Sequence, residues 1–409
     1  MKKLIYQEIE GKSTSYIKVA AGLIATILVG LLAAYYMEHN GHVVTGMNNQ
    51  IVWGLPHVFA IFMIVAASGA LNIASIGSVF GKTPYKPLAP LSALLSIALL
   101  LGGLSILLLD LGRPDRLIVA MTHFNFKSIF AWNIILYNGF LAIVAVYIWT
   151  MMEGRFNKYT KPVGIAAFIW RLILTTGTGS IFGFLVAREA YDAAIMAPMF
   201  IVLSFSVGLA IYLLVLYAAY KYSDRPLSEK LINRLKNLLG VFVGGVLLLV
   251  TIFHLTNLYA AEHSGVEHFT LNGSSYAFMF WVFQIFLGSI LPLVFFYHPA
   301  FANQLKLTLL GAGLVIVGGF FQIYVIVIGG QAYPLELFPE YDVSSSFYDG
   351  EVALYFPSLP EMLLGIGGVA IAGVIVLFGV KLLKFLPVSL ADKDIDPHYN
   401  SQNKVASKK

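Results

Sequence analysis

Leu91-Ser-Ala-Leu-Leu-Ser-Ile-Ala-Leu-Leu-Leu-Gly-Gly-Leu-Ser-Ile-Leu-Leu-Leu-Asp110 is twenty residues with a single charge, and that charge comes last. A helix needs about 20 mainly apolar residues to cross a bilayer, so the segment, extended back to residue 88, reads as a membrane span closed by a carboxylate. Nothing in it alternates with the two-residue period of a barrel strand. Nine similar runs lie near 18–37, 52–79, 128–152, 163–186, 194–220, 239–260, 276–297, 305–328 and 362–386. Backbone groups in hydrocarbon must be satisfied within the segment, so these runs predict an all-α, polytopic bundle of ten transmembrane helices. The composition agrees: 58% hydrophobic residues, 11% charged and a mean hydropathy of +0.80 exclude an ordinary soluble domain.

The start of the chain is too acidic and polar for a cleaved secretory signal, so the first span is expected to stay attached. Of the 26 Lys and Arg residues, 21 fall in one set of alternate loops and four in the other (Arg113, Arg116, Lys127 and Arg188), with Arg171 inside a span. The positive-inside rule makes the basic side cytoplasmic, which puts both termini inside a cell inner membrane. Residues 38–50, 111–127, 187–193, 261–275 and 329–360 then face outward. The net charge of +5 is topology rather than a nucleic-acid footprint. Residues 1–390 read as one membrane domain and 391–409 as a polar, disordered tail. The outer loop from Gly329 to Pro360 carries Glu336, Glu340, Asp342, Asp349 and Glu351 without Lys or Arg, as either a solvated loop or a docking surface.

The chemistry concentrates on the outer side. Asp110-Leu-Gly-Arg-Pro-Asp-Arg116 closes the third span, and Asn125-Phe-Lys-Ser-Ile-Phe-Ala-Trp132-Asn133 opens the fourth. Ionisable groups at hydrocarbon boundaries are costly and mark sites. His57, roughly 8 Å below the start of the second span, supplies a proton-exchanging group. Asp110, Arg113, Trp132, Asn133 and Tyr137 are candidates to shape a polar pocket. Plainer roles stay open: a helix-end histidine behind Pro56, an Asp110–Arg113 pair tying down the turn, and a belt aromatic at Trp132. Glu189, Asp192 and His254 form a second outer set, either a proton path or interface anchors. Arg171, roughly 13 Å into the fifth span with no acidic residue at its depth, either faces a cavity on such a path or snorkels to the basic side. Thr175-Thr-Gly-Thr-Gly-Ser180 reads as small-residue helix packing.

Resident cofactors find few ligands. Cysteine is absent, which removes iron–sulfur ligation, and no span carries two spaced histidines for haem. Glu262-His263 and Glu267-His268 do not assemble a recognisable metal set. The expectation is therefore no haem, no iron–sulfur cluster and no metal in this chain.

The order Trp53-Gly-Leu-Pro-His57, Asp110-Leu-Gly-Arg-Pro114 and Lys127-Ser-Ile-Phe-Ala-Trp132 resembles the NrfD/polysulfide reductase membrane-subunit family. Ile51 to His57, Asn125 to Asn133, Ala187 to Ala194 and His254 to Tyr259 are most similar to its DsrP branch, found in sulfur-metabolism complexes. The resemblance covers residues 1 to about 390. It implies a subunit that exchanges electrons between membrane quinone (menaquinone or ubiquinone) and a periplasmic, ferredoxin-like iron–sulfur partner. A multihaem cytochrome c and further membrane and cytoplasmic Dsr-type subunits accompany that branch. Simpler members have eight spans, so the core at about 50–330 would carry one extra helix at each end. Ala131-Trp132-Asn133 stands where the family often has Ser-Trp-Gly. A secondary transporter and a purely structural anchor for redox subunits remain the alternative readings.

Overall fold

The computed structural model describes residues 4–335 and 350–395. Ten helices among them are long and apolar enough to cross a membrane: Thr14–Asn40, Leu55–Ser78, Thr83–Leu109, Ile129–Met152, Gly154–Gly183, Met196–Tyr222, Glu229–Tyr259, Ser275–Tyr297, Leu305–Ala332 and Leu359–Leu382. The chain is thus a polytopic helical membrane protein, as the apolar runs predict. The spans, numbered in chain order, pack as two four-helix rings. The second, third, fourth and fifth form one, and the sixth to ninth form the other. The rings meet where the second span touches the sixth and ninth and the fifth touches the sixth. The first span packs on the tenth, which docks on the second and third. The two terminal spans therefore form an annex outside the rings.

Small residues decide where these helices cross, because in lipid the gain comes from close packing rather than from hydrophobic transfer. The second and sixth spans touch backbone to backbone at Gly69 and Gly208, where a methyl on Gly69 would overlap the Ser204 carbonyl. Gly288 and Gly318 do the same for the eighth and ninth spans, and Gly30 and Gly367 for the first and tenth. Several of the spans depart from simple α-helix, the ninth among them with a π-helical stretch at Val325–Gly329. The second is interrupted at Leu71 between Leu55–Ala70 and Asn72–Ser78, and the eighth is wound as π-helix over Met279–Ile290.

Loops predicted to share the outer face do converge. Arg188 donates to the carbonyls of Gln50 and Gln331 (2.9 Å each), and His263 contacts the Glu189 carbonyl at 3.0 Å. The opposite, basic face is closed by a two-stranded clip, Tyr6–Gln7 against Leu386–Pro387. Arg225 binds the carbonyls of Gln7 (3.1 Å) and Glu8 (2.8 Å) there. Order extends past residue 391, where the disordered tail was expected to begin: Asp392–Ile395 is a helical turn hydrogen-bonded to Ser228, with Ile395 buried. Residues 396–409, like Glu336, Glu340, Asp342 and Asp349 of the acidic loop, lie outside the described residues.

Thermal unfolding in detergent tests the crossing. Gly69→Ala must push two backbones apart and should cost about 1–3 kcal/mol or more. Gly22→Ala on the first span meets nothing within 4 Å and should leave stability unchanged; equal stability of the two variants would refute the packing.

Candidate functional site

The second span starts at Gly54-Leu-Pro-His57, with Pro56 in the first turn where a missing N–H costs nothing. That start is pinned from three distant segments. Gln331, at the end of the ninth span, accepts from the N–H groups of Val52 and Trp53 (3.0 Å each) and donates to the Trp53 carbonyl at 3.0 Å. Arg188 holds Gln50, as described. The Leu55 N–H donates to the Tyr355 hydroxyl (2.6 Å), which donates to Glu361 (2.8 Å). Glu361 is fully buried and also accepts from the N–H groups of Gly46 (2.8 Å) and Ser358 (2.7 Å). Its carboxylate lies against Gly54, where a side chain would overlap it. A negative group at a helix N-terminus is favourably placed. Burial, reinforced by Glu361, pushes the Tyr355 phenol far above its ordinary pKa, so it remains a donor.

His57, held in this way, faces Asp110 at the close of the third span: Nδ1 to Oδ2 is 2.8 Å. The His57 side chain is 21% exposed and that of Asp110 only 1%, so the carboxylate sits behind the imidazole. The approach is close but poorly aligned for a hydrogen bond, and among the described residues no group donates one to either Asp110 oxygen. The contact is therefore a close approach of imidazole and carboxylate. A buried carboxylate without a hydrogen-bond donor is expensive. His42 is a neighbour that sequence reasoning missed. Its Nε2 is buried without a partner among the described residues and lies against Gly112.

The other candidates divide. Asn133 is buried and ties the fourth span to the fifth, donating to the carbonyls of Ile129 (2.9 Å) and Gly177 (3.1 Å). Tyr137 is buried one turn deeper. Trp53 packs edge-on against Phe130 and Phe182, which brings the segment before His57 onto the outer ends of the fourth and fifth spans. Trp132 is half-exposed, with its indole N–H on the Phe126 carbonyl (2.8 Å), the placement of an interfacial aromatic. The idea of an Asp110–Arg113 pair is corrected: Arg113 is exposed and grips Asp115 with two hydrogen bonds of 3.1 Å. Pro114 turns the chain so that Asp115 is nearer than Asp110, and the Arg113 hydrogen bond holds the Asp115 carboxyl below its usual range.

In the second ring His254 meets Glu267 at 2.7 Å, and Asn257 donates to the other Glu267 oxygen at 2.9 Å. The pair lines a cavity of about 40 Å³ with Gln284 and Gln322, whose amide nitrogen has no partner among the described residues. Such a space holds about three or four waters at roughly 10–15 Å³ each. Asp192 is exposed in a left-handed turn, while Ala190, one residue from Glu189, lines the cavity. Arg171 does not snorkel. It is fully buried, donates to Asn72 (2.9 Å) beside the Leu71 break, and stacks its guanidinium on Phe168 and Phe205. Two aromatic faces and an amide take the place of water there.

Of these groups, Glu361 and Glu267 went unrecognised as buried carboxylates. Glu361 had a readable sign, the Ser358-x-x-Glu361 spacing of a capping box ahead of an apolar run. Glu267 had none, since only folding of the 261–275 loop brings it under His254. Among the described residues no three His, Asp or Glu side chains gather as a metal site.

The fold is that of a polytopic helical membrane protein, a ten-span bundle with an imidazole backed by a buried carboxylate at one face. Residues 43–334 match the family described as polysulphide reductase, NrfD, and the chain belongs to that family. It is 29% identical to the Hdr-like menaquinol oxidoreductase integral membrane subunit of Archaeoglobus fulgidus, over 96% of this chain and 99% of that one. It is 25% identical to a selenate reductase subunit of Mesobacillus selenatarsenatis (90% and 93%). The menaquinone reductase integral membrane subunit of Nitratidesulfovibrio vulgaris is 23% identical (88% and 89%).

Removing the Gln331 clamp tests how the site is held. Gln331→Ala orphans two N–H groups and a carbonyl near the start of the second span and should cost about 1–3 kcal/mol in thermal unfolding. Asp192→Asn, at an exposed turn, should cost nothing measurable. A Gln331→Ala variant as stable as the parent would show that the clamp holds nothing.

Proposed function

We propose that this chain is the quinone-reacting integral membrane subunit of a multi-subunit redox complex, with His57 exchanging a proton with quinone or quinol. The observation that carries the reading is the buried, unsatisfied Asp110 carboxylate behind a partly exposed His57. Quinol oxidation releases two electrons and two protons, and quinone reduction takes up the same. His57 is the group within reach of a quinone oxygen, and Asp110 orients its ring and steadies the imidazolium. Asn133 and Tyr137 shape the polar end of the pocket, with Trp53, Phe130 and Phe182 as its aromatic wall. Arg113 and Trp132 stand at its edge. The names of the relatives from Archaeoglobus and Nitratidesulfovibrio support a quinone substrate and favour menaquinone over ubiquinone.

Electrons enter or leave through a ferredoxin-like iron–sulfur subunit docked on the His57 face. The motif likeness to the DsrP branch favours a sulfur-metabolism complex with a multihaem cytochrome c and further Dsr-type subunits. The His254–Glu267 pair and its cavity carry protons in the second ring, with Glu189 and Asp192 near the mouth, while Arg171 of the first ring, enclosed by Asn72, Phe168 and Phe205, lies off this path. The basic face is cytoplasmic in an inner membrane, and the His57 face is periplasmic.

In the assembled complex His57→Ala should slow quinol-analogue-linked electron transfer by ~10²–10⁴, the usual share of a general acid or base, with normal partner content. Asp110→Asn should lower the rate and move its pH profile, whereas Arg113→Lys should stay near the parental rate. A parental rate in His57→Ala would leave only the anchor role.

Orientation is measured separately. The chain has no native cysteine, so single cysteines at exposed Ile118 and Asn157 report opposite faces. An impermeant maleimide should label residue 118 in intact cells and residue 157 only after lysis; the reverse would invert the topology.

A further inference from the structure

The basic face carries a cavity that the quinone chemistry does not use. It measures about 950 Å³, at the upper end of the roughly 300–1,000 Å³ of ligand pockets. Its walls are the ends of spans: Ser78 closes the second, Met151 and Met152 end the fourth, Lys161 lies near the start of the fifth, and Leu382 ends the tenth. It therefore straddles the boundary between hydrocarbon and water. Its lining is layered to match. Tyr147 donates to Ser78 at 2.8 Å as a neutral polar floor. Met151, Met152, Leu382 and Leu383 supply an apolar side on which Leu382 is 72% exposed and needs covering. Lys86, Lys161 and Lys384 supply three positive charges against the one carboxylate of Glu8.

We propose that this cavity binds one anionic glycerophospholipid, its phosphate held by Lys86, Lys161 and Lys384 and its acyl chains laid along Met151, Met152, Leu382 and Leu383. The net positive lining complements a phosphodiester, and the apolar side has no use for a soluble anion. Basic pockets between membrane helices at the cytoplasmic leaflet suit such headgroups, and that leaflet is rich in anionic lipid. The site joins the annex to the first ring, because Leu382, Leu383 and Lys384 lie at or just past the end of the tenth span and Glu8 precedes the first, while Ser78, Lys86, Tyr147, Met151, Met152 and Lys161 belong to the second to fifth. A bound lipid would therefore cement the terminal helices to the ring that carries His57. The proposal stands independently of the quinone reading.

The test uses the full chain in detergent, with phosphatidylglycerol as probe and phosphatidylcholine as its uncharged counterpart, followed by native mass spectrometry. Phosphatidylglycerol should bind saturably and phosphatidylcholine weakly. Each Lys→Gln change should weaken phosphatidylglycerol binding about fivefold, and K86Q/K161Q/K384Q on the order of a hundredfold. Restoring charge as K86R/K161R/K384R should restore binding. Met151→Trp, which fills the cavity without altering charge, should also weaken it. Lys158, on the same face, stacks on Tyr159 and does not line the cavity, so Lys158→Gln should bind as the parent does. An equal loss in Lys158→Gln would mean diffuse surface attraction and overturn the proposal, as would equal binding of phosphatidylcholine, competition by inorganic phosphate alone, or parental affinity in the triple Gln variant.

Discussion

Two glycines in contact set the architecture. Where Gly69 of the second span meets Gly208 of the sixth, no side chain separates the backbones, and that crossing joins the two four-helix rings. A helix so placed is buried on nearly every side, so it can carry very few groups that need water. The second span obeys this: its polar exceptions are His57 near one end, Ser78 at the other, Ser68, and Asn72 and Ser75 beside the helix break. Ser68 caps the Arg171 carbonyl, and Asn72 binds the Arg171 guanidinium.

The position of His57 follows from the same economy of polar groups. Residues 46–55 lead into a buried helix and would leave N–H and C=O groups without water, so three remote elements satisfy them: Gln331 and Glu361 with Tyr355 take the N–H groups, and Arg188 donates to the Gln50 carbonyl. They come from the ninth span, the tenth span with the segment before it, and the loop after the fifth. The histidine is therefore held by most of the bundle rather than by its own loop, the arrangement that keeps a reactive side chain in register with its partner. The annex contributes directly, since Glu361 opens the tenth span.

Span count, the shared face of the loops and the nearness of His57 to Asp110 were legible because each rests on local composition: twenty apolar residues, a basic asymmetry, a charge at a span end. Partner choice was not legible, because it depends on which loops fold together. Arg113 looked like the partner of Asp110 three residues away, yet the Pro114 turn gives it Asp115. Arg171 looked solvent-seeking because its hosts, Asn72 and Phe205, lie about a hundred residues back and thirty-four ahead. Glu267 read as a loop charge and is the buried mate of His254. In each case the information sits in long-range packing that no window of sequence contains.

The two rings repeat one device. Each sets a histidine against a buried carboxylate at the same face, His57 with Asp110 in the first and His254 with Glu267 in the second. Their surroundings differ in one respect that matters chemically. Glu267 is held by the Asn257 amide and its pair opens on a small cavity of glutamine amides, which suits transfer to water. Asp110 has no such donor, and its histidine is the more exposed of the two, 21% against 13%. A pair whose carboxylate is already satisfied gains little from a ligand. One left unsatisfied behind an accessible imidazole gains a great deal, and on that ground we propose His57, rather than His254, as the residue that meets a quinone oxygen.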